Sequence, residues 1–574
     1  MRADIIIADP RINKWLAFNR PIRVIQTYKP SDVPLLLADV ERWVNKKRCF
    51  AAGYISYEAA SGFDPNLVTK STGVMPVAFF GLYDSPAFIS KPYTDSSVRE
   101  ILWQNLTGER NYRQALKSIR EQIAIGSTYQ VNYTVRLMAE AVDPWELFCH
   151  LSPGGRYSSY IDSEDFSVIS ASPELFFSLD STELTSEPMK GTASRGLTLE
   201  EDLERHDWLK TSEKNRAENL MITDMVRNDL GKIARPGSVK VVDLYRINKF
   251  PTVWQAVSEV IGDTDASLVD VFGALFPGAS VTGAPKKASM NFISSLESSP
   301  REIYTGTIGY FGPDRRAQFN IAIRTAWIDK KREEMSYGVG GGIVWDSDPD
   351  EELEEISIKS RVLYSSQSED EFLLLETMRW NVDGGILHLP EHLNRLLGSA
   401  EYFSFNIQRV ELQSVLDAAI SKLEGQDHRI RLTVARDGEM KITTNPIVED
   451  LFEPELVLAR NPIDANNRFL YHKTTNRKVY KDAELIAQRG QEVLLYNAQG
   501  YVTESTIANI VFGMDGAFFT PPIKDGLLPG TMRARLLKRE EISERRLSVK
   551  ELDKVSSLFL VNSLRGWRRA RLKK

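Results

Sequence analysis

Ser365-Ser366-Gln367-Ser368-Glu369-Asp370-Glu371, followed at once by Phe372-Leu373-Leu374-Leu375, divides the 574-residue chain. The first seven residues are polar and carry no apolar period, while the next four read as a new buried strand. Just before them, Asp350 to Leu363 reads as a helix rich in carboxylates. A helix end, a polar connector and a fresh strand predict two halves, residues 1–365 and 372–574, with a linker over 366–371.

Outward from that seam, both halves mix strands with helices. Glu204 to Gly231 carries a long helical pattern, with Leu220, Met221, Val226 and Leu230 among its apolar positions. Tyr304 to Tyr310, the turn Gly312-Pro313-Asp314, and Gln318 to Ile328 read as a hairpin. In the second half a helix is expected from Pro390, with Leu393, Leu396, Leu397 and Ala400 on its stripe. Short strands are expected at Glu492 to Tyr496 and Ile507 to Phe512. The expected class is α+β or α/β, in a two-part chain.

Composition narrows the function classes. The chain is 42% hydrophobic and 26% charged, which excludes a mainly disordered protein. Its formal net charge is −6, from 72 Lys and Arg against 78 Asp and Glu. That argues against a nucleic-acid binder, which needs a clear basic excess. The basic run Arg565 to Lys574 reads as a solvated terminus or a small anion site. Cys49 and Cys149 are the two cysteines, too few for a disulfide framework or a zinc site, and they fit a reducing compartment. No apolar run is long enough to span a membrane, and the first residues lack a secretory apolar core, so a cytoplasmic protein is expected.

Three features of the first half suggest chemistry. Glu352 and Glu355 lie i,i+3 on one helix face with Lys359 a further i+4, and like charges so placed repel unless a cation sits between them. Mg²⁺ takes one or two protein carboxylates and keeps water for substrate oxygens. A solvated acidic helix is the plainer alternative. Glu218 adjoins an apolar helical pattern at the edge of a core. Arg324 falls on the Asn320-Ala322 face of an apolar strand pattern, where its fork of donors suits a substrate carboxylate or a structural ion pair. The glycine run Gly338-Val339-Gly340-Gly341-Gly342 could bring backbone N–H groups close to an anion, but it does not fit GxGxxG.

Seven ordered strings make a sharper statement. They are Ala171-Ser172-Pro173-Glu174, Pro188-Met189-Lys190-Gly191-Thr192, Arg216-Ala217-Glu218-Asn219-Leu220-Met221-Ile222, Arg227-Asn228-Asp229-Leu230, Thr282-Gly283-Ala284-Pro285-Lys286, Ile321-Ala322-Ile323-Arg324-Thr325, and Gly341-Gly342-Ile343-Val344 with Asp346-Ser347-Asp348-Pro349. Together they resemble the chorismate-utilising enzymes: anthranilate synthase and aminodeoxychorismate synthase components I, and the isochorismate and salicylate synthases. The resemblance implies a synthase fold of large β-sheets flanked by helices. It implies Mg²⁺ held by Glu218 and Glu355, with Glu352 an outer ligand. It implies Tyr304, Arg324 and the backbone at Gly340 around the enolpyruvyl carboxylate, Thr282 and Gln255 among the substrate contacts, and Glu174 as the acid that helps the ring hydroxyl leave. Lys190 decides the subfamily, because anthranilate synthases carry alanine there and aminodeoxychorismate synthases use the lysine as a nucleophile. Gln255 departs from the family, which usually has histidine at that position.

In the second half, Glu391-His392-Leu393-Asn394-Arg395-Leu396 and Tyr471-His472-Lys473-Thr474-Thr475-Asn476-Arg477 would each pass as an ordinary helix or loop. With Leu375-Glu376-Thr377-Met378, Gly500-Tyr501-Val502-Thr503-Glu504-Ser505-Thr506-Ile507, Leu528-Pro529-Gly530-Thr531-Met532-Arg533 and Asn562-Ser563-Leu564-Arg565-Gly566, they resemble the class IV pyridoxal-phosphate enzymes, a group that includes 4-amino-4-deoxychorismate lyase. That resemblance implies a two-subdomain fold and pyridoxal 5′-phosphate as cofactor. Lys473 would carry it as a Schiff base, Glu504 would face its ring nitrogen, and Arg395, Thr531, Ser563 and the backbone near Ile507 would hold its phosphate. Whether this half is a lyase or an aminotransferase stays open from its own motifs.

Joined, the two resemblances imply that chorismate and ammonia yield aminodeoxychorismate, and then 4-aminobenzoate and pyruvate, a folate precursor route. No Gly-x-Cys-x-Gly segment is present, so a separate glutamine amidotransferase is the expected ammonia source. The resemblance leaves room for a homodimer through the C-terminal half. An anthranilate-type synthase fused to a class IV aminotransferase is the main rival. A non-catalytic chorismate-binding regulator is the other.

Overall fold

The computed structural model describes residues 4–71, 73–94, 96, 101–360, 372–448, 453–488 and 490–573. The connector expected over 366–371 lies outside the described residues. The chain forms two compact units: Met1–Ser194 with His206–Ser368, and Arg195–Arg205 with Glu369–Lys574. The expected boundary places residues 195–205 in the first half, whereas the segment groups with the second unit.

Among its described residues the first unit has two ten-stranded sheets, in which every pairing is antiparallel. One buried apolar cluster takes Val131, Tyr133 and Val135 from the first sheet, and Phe177, Leu179 and Phe319 from the second. Strands that read as near-continuous apolar runs fit such burial. The helix Val33–Lys47 adds Val33, Leu37, Val40 and Val44 to the same cluster at the spacing of an amphipathic helix.

Three expectations change. The hairpin holds only for Thr307–Phe311 against Ala317–Ile321. The chain then leaves the second sheet, and Thr325–Asp329 joins the first, so Arg324 sits at a sheet crossing with φ +50° rather than in a continuous strand. The long helix is two, Leu199–Thr211 and Glu213–Gly231. Ser212 starts the second, its hydroxyl accepting from the Asn215 N–H. The glycine run is no anion loop. It lies in the strand Glu334–Ile343, paired along its length with Gln130–Glu140.

In the second unit a four-stranded antiparallel sheet carries Leu374–Asn381. The helix Leu389–Phe403 buries Leu393, Leu396 and Ala400, the expected stripe. An eight-stranded mixed sheet includes Gln491–Tyr496, Val502–Ser505 and Asn509–Met514. The basic terminus is the strand Gly566–Leu572, whose Arg569 and Arg571 pair with Glu453.

Candidate active sites

Lys190 owes its direction to an irregularity. The strand Met189–Ser194 pairs with Val253–Asp263, and the register shifts between Met189 and Thr192. Gly191 takes φ +100° there, and a side chain would place its Cβ 3.3 Å from the Cβ atoms of Ala256 and Asn215. Such a bulge re-aims one side chain out of the strand's alternation. Lys190 Nζ ends 3.2 Å from Glu218 Oε2, each side chain 18% exposed. A Cβ at Gly342 would come within 2.7 Å of that Nζ, so the strand Glu334–Ile343 of the other sheet leaves the amine its room. The Asn219 amide donates to the Lys190 carbonyl at 3.1 Å. Gln255 works on the same strand: its amide nitrogen donates to the Gly191 carbonyl at 2.9 Å and its oxygen accepts from Thr192 at 3.0 Å. Both polar ends of Gln255 therefore brace the strand of Lys190.

The acidic helix Pro349–Ser360 brings Glu352 and Glu355 toward the same strands. Lys359 Nζ lies 2.6 Å from Glu355 and donates to the Gly340 carbonyl at 2.9 Å. Lys359 holds the Glu355 carboxyl below its ordinary range, whereas burial raises that of Glu352, which accepts from Ser347 at 2.6 Å. A Cβ at Gly341 would lie 3.1 Å from Glu352 Oε2. Among the described residues no three metal-type side chains stand close enough to enclose an ion. Glu218 and Glu355 are each paired with an ammonium, Lys190 at 3.2 Å and Lys359 at 2.6 Å.

Glu174 is buried, and burial pushes its carboxyl up to about 7 although Ser280 donates to it at 2.7 Å. Lys190 is among the charges it feels. The Tyr304 ring occupies the space a side chain at Gly338 would need, and burial raises its hydroxyl above the ordinary range. Burial lowers the Arg324 guanidinium. Gly154 O accepts from it at 3.5 Å, and no carboxylate pairs with it among the described residues. A half-buried guanidinium without a counter-charge among the described residues suits an anionic ligand. Thr282 is fully buried and donates to Gly278 O at 3.1 Å, so its hydroxyl serves the chain.

In the second unit Lys473 and Arg395 are registered to one strand. The Leu375 N–H donates to the Lys473 carbonyl at 3.0 Å, and Thr475 N–H donates to Leu373 O. Next along, Glu376 takes a two-pronged contact from Arg395 at 2.8 and 2.7 Å, and His392 Nδ1 at 2.7 Å. Burial would raise Glu376, but Arg395 and His392 outweigh it and hold the carboxyl near 2. Arg395 also donates to Pro529 O at 3.2 Å, and His392 Nε2 is 3.5 Å from Thr531 Oγ1, in the first turn of Thr531–Lys538. A guanidinium has five N–H donors, so two remain for an anion. Burial brings Lys473 down to about 8, with Arg395 adding to the effect.

Glu504 is buried and its two oxygens accept from Tyr480 O–H (2.8 Å), Leu528 N–H (3.1 Å) and the Asn509 amide (3.0 Å). Burial pushes it up to about 7. A buried carboxylate so provided with donors, with Lys473 and Arg477 among the charges it feels, fits a protonated ring nitrogen, and a half-buried, partly neutral amine fits an aldehyde. Ile507 N–H turns to Ser505 Oγ at 3.3 Å. Ser563 is half-buried beside Asn562, whose oxygen accepts from Leu564 and Arg565 N–H. Ser280, Lys359, Glu376 and Tyr480 were given no role from sequence. Glu376 lies inside a quoted string and could have been found there, whereas Tyr480 carries no local signal.

Comparisons with known proteins fall on the same two parts. The family described as chorismate binding enzyme matches residues 89–365, and amino-transferase class IV matches residues 373–572. Anthranilate synthase component 1 1 of Haloarcula marismortui is 40% identical over 264 residues, 45% of this chain and 54% of that one. Aminodeoxychorismate synthase component 1 of Bacillus subtilis is 40% identical over 255 residues, 43% of this chain and 53% of that one. The chain thus spans about half the length of these curated relatives. The crystal structure of anthranilate synthase component I from Streptococcus pneumoniae aligns with a TM-score of 0.53 at 22% identity, over 63% of this chain and 92% of that one, which shows the fold. Residues 89–365 belong to the chorismate binding enzymes and residues 373–572 to the class IV amino-transferases, joined in one chain.

Proposed function

We propose that the chain makes aminodeoxychorismate from chorismate and ammonia and then releases pyruvate to give 4-aminobenzoate. The observation that carries this reading is Lys190, turned out of its strand by a bulge and set between Glu218 and Gly342. The two relatives quoted differ in activity but not in identity, so the choice between C2 and C4 amination rests on that side chain. Mg²⁺, held by Glu218 and Glu355, would neutralise the ring carboxylate. Arg324 binds the enolpyruvyl carboxylate. As the Lys190 amine bonds to ring C2, the C4–O bond breaks and the protonated Glu174 gives the leaving hydroxyl its proton. Ammonia then bonds to C4 and the C2–N bond to Lys190 breaks, returning the free amine. A carboxyl near 7 keeps its proton at neutral pH often enough for that role.

In the second unit pyridoxal phosphate would supply the electron sink for the electron pair left on carbon when the substrate C4 proton is removed. Arg395 and Thr531 would hold its phosphate, Glu504 would face its ring nitrogen, and Lys473 would carry it until the substrate amine displaces the lysine, whose freed amine then takes the proton from substrate C4 as pyruvate departs. The juxtaposition with a half suited to making aminodeoxychorismate supports a lyase over an aminotransferase. A separate glutamine amidotransferase would supply ammonia in the cell, and the protein would work in the cytoplasm. Incubation with chorismate, Mg²⁺ and ammonium tests the reading: 4-aminobenzoate with equimolar pyruvate is expected, and anthranilate would replace it with the anthranilate-type rival.

A further inference from the structure

The segment Arg195–Arg205 begins five residues after Lys190, yet it is built into the second unit. Its interior is self-consistent. Arg195 donates to both oxygens of the fully buried Asp202, at 2.6 and 2.8 Å, and Gly196 N–H donates to Asp202 at 2.9 Å. Gly196 must be glycine, since a Cβ would lie 2.2 Å from Asp202 N. Its outer face is tied to the helix Leu389–Phe403. Arg195 donates to Tyr402 O at 2.9 Å and covers the Tyr402 ring, and the Tyr402 hydroxyl donates to Gly196 O at 2.7 Å. Leu199 packs on the apolar cluster of Leu393, Leu396 and Tyr402, and Leu197 on that of Leu470 and Tyr471.

The last contact reaches the cofactor lysine's neighbour. His472 Nε2 faces Leu197 O at 3.2 Å, and Nδ1 faces Ser399 Oγ at 3.0 Å. A carbonyl only accepts, so Nε2 carries the hydrogen and Nδ1 accepts from Ser399, which uses both nitrogens of a neutral ring. The ring also lies tilted against Tyr402, centroids 4.3 Å apart. Burial drives the His472 pKa to about 3, so this arrangement holds across the working range of pH. The Lys473 backbone is thus gripped on one side by Leu375 and on the other through His472.

We infer that Arg195–Arg205 is a strap contributed by the synthase-type sequence that completes the pyridoxal-type unit and positions Lys473 through His472. The proposal rests on Lys473 being the cofactor lysine. Residues 372–574 alone would leave the His472 ring, the Tyr402 hydroxyl and two apolar sockets without their partners. The strap is also covalently continuous with the strand of Lys190, which ends at Ser194.

The full-length protein loaded with pyridoxal phosphate provides the test. Tyr402→Phe and Arg195→Met should each weaken cofactor binding about tenfold and shift the pH midpoint of the visible band, as expected when a supporting contact is loosened. Chorismate consumption in the same samples reports whether the first unit is intact. Hydrogen exchange on the unmodified protein gives a second reading that needs no variant: cofactor loading should slow exchange across 195–205. An unchanged band and affinity in the two variants, or exchange at 195–205 indifferent to loading, would overturn the strap. Absence of a visible band in the unmodified protein would instead refute the assignment of Lys473.

Discussion

Lys190 and Lys473 are both proposed to make and break bonds to carbon, but their surroundings differ. Lys190 is partly exposed and neutralised by a carboxylate 3.2 Å away, in a site also holding Glu352, Glu355 and Lys359. Lys473 is half-buried as well, but its surroundings remove enough water to bring it to about 8. The first environment suits a ligand that arrives with two carboxylates and a metal, where charge must be balanced group by group. The second suits one long-lived partner, where removing water keeps the amine reactive. The two buried acids, by contrast, are alike: Glu174 and Glu504 are both pushed to about 7 by burial, each with a lysine among the charges it feels, Lys190 and Lys473, and each accepting from a hydroxyl, Ser280 and Tyr480.

If the contrast is right, damage to one site leaves the other standing. Lys190→Ala should abolish 4-aminobenzoate formation, or divert amination to C2, while the visible band of the second unit is unchanged; a variant with normal 4-aminobenzoate output would break the comparison. Glu218→Ala or Glu355→Ala, like chelation by EDTA, should lower chorismate turnover by about two orders of magnitude or more, because the charge facing the ring carboxylate is no longer balanced. Isothermal titration should show weaker Mg²⁺ binding in both variants. Glu376→Gln should raise the cofactor dissociation constant about 10- to 100-fold, measured by absorbance titration, because Arg395 loses the carboxylate that orients it.

The smallest effect is a pH-dependent one. Glu174 has a folded-state pKa of about 7, above the ordinary 4.5. Between those values the folded chain binds more protons than the unfolded one, so stability is lost as pH rises through that window. Glu174→Gln should therefore raise the melting temperature of the first unit by a few degrees at pH 8 and by much less at pH 5, by calorimetry. Equal shifts at both pH values would mean that burial of the charge is not the cause.

Much of this was legible before the structure. The strings around Lys190, Glu218, Lys473 and Glu504 each carry local order, and the polar connector separates two apolar patterns. What was not legible depends on distant pairing. No local signal tells that Ile321 and Thr325 enter different sheets, which turns Arg324 out at a crossing. Ser212 reads as one more polar residue in a helical pattern until it is seen capping a second helix. Gln255 reads as a substrate contact from its place in a motif, and no local signal tells of its bonds to backbone and hydroxyl groups of residues 191 and 192. Residues 195–205 read as part of the first half because sequence adjacency says nothing of the Tyr402 and His472 groups that they meet.

The central claim is that one chain performs two successive reactions on one carbon skeleton, the second through Lys473. Lys473→Ala, given chorismate, Mg²⁺ and ammonium, tests it in a single chromatogram. The expected result is chorismate consumed at near the normal rate and aminodeoxychorismate accumulating. Pyruvate release should fall by several orders of magnitude, because the group that holds the cofactor and moves the proton is gone. Unaided 4-aminobenzoate formation by this variant would contradict the account and assign the second unit to an unrelated aminotransferase reaction.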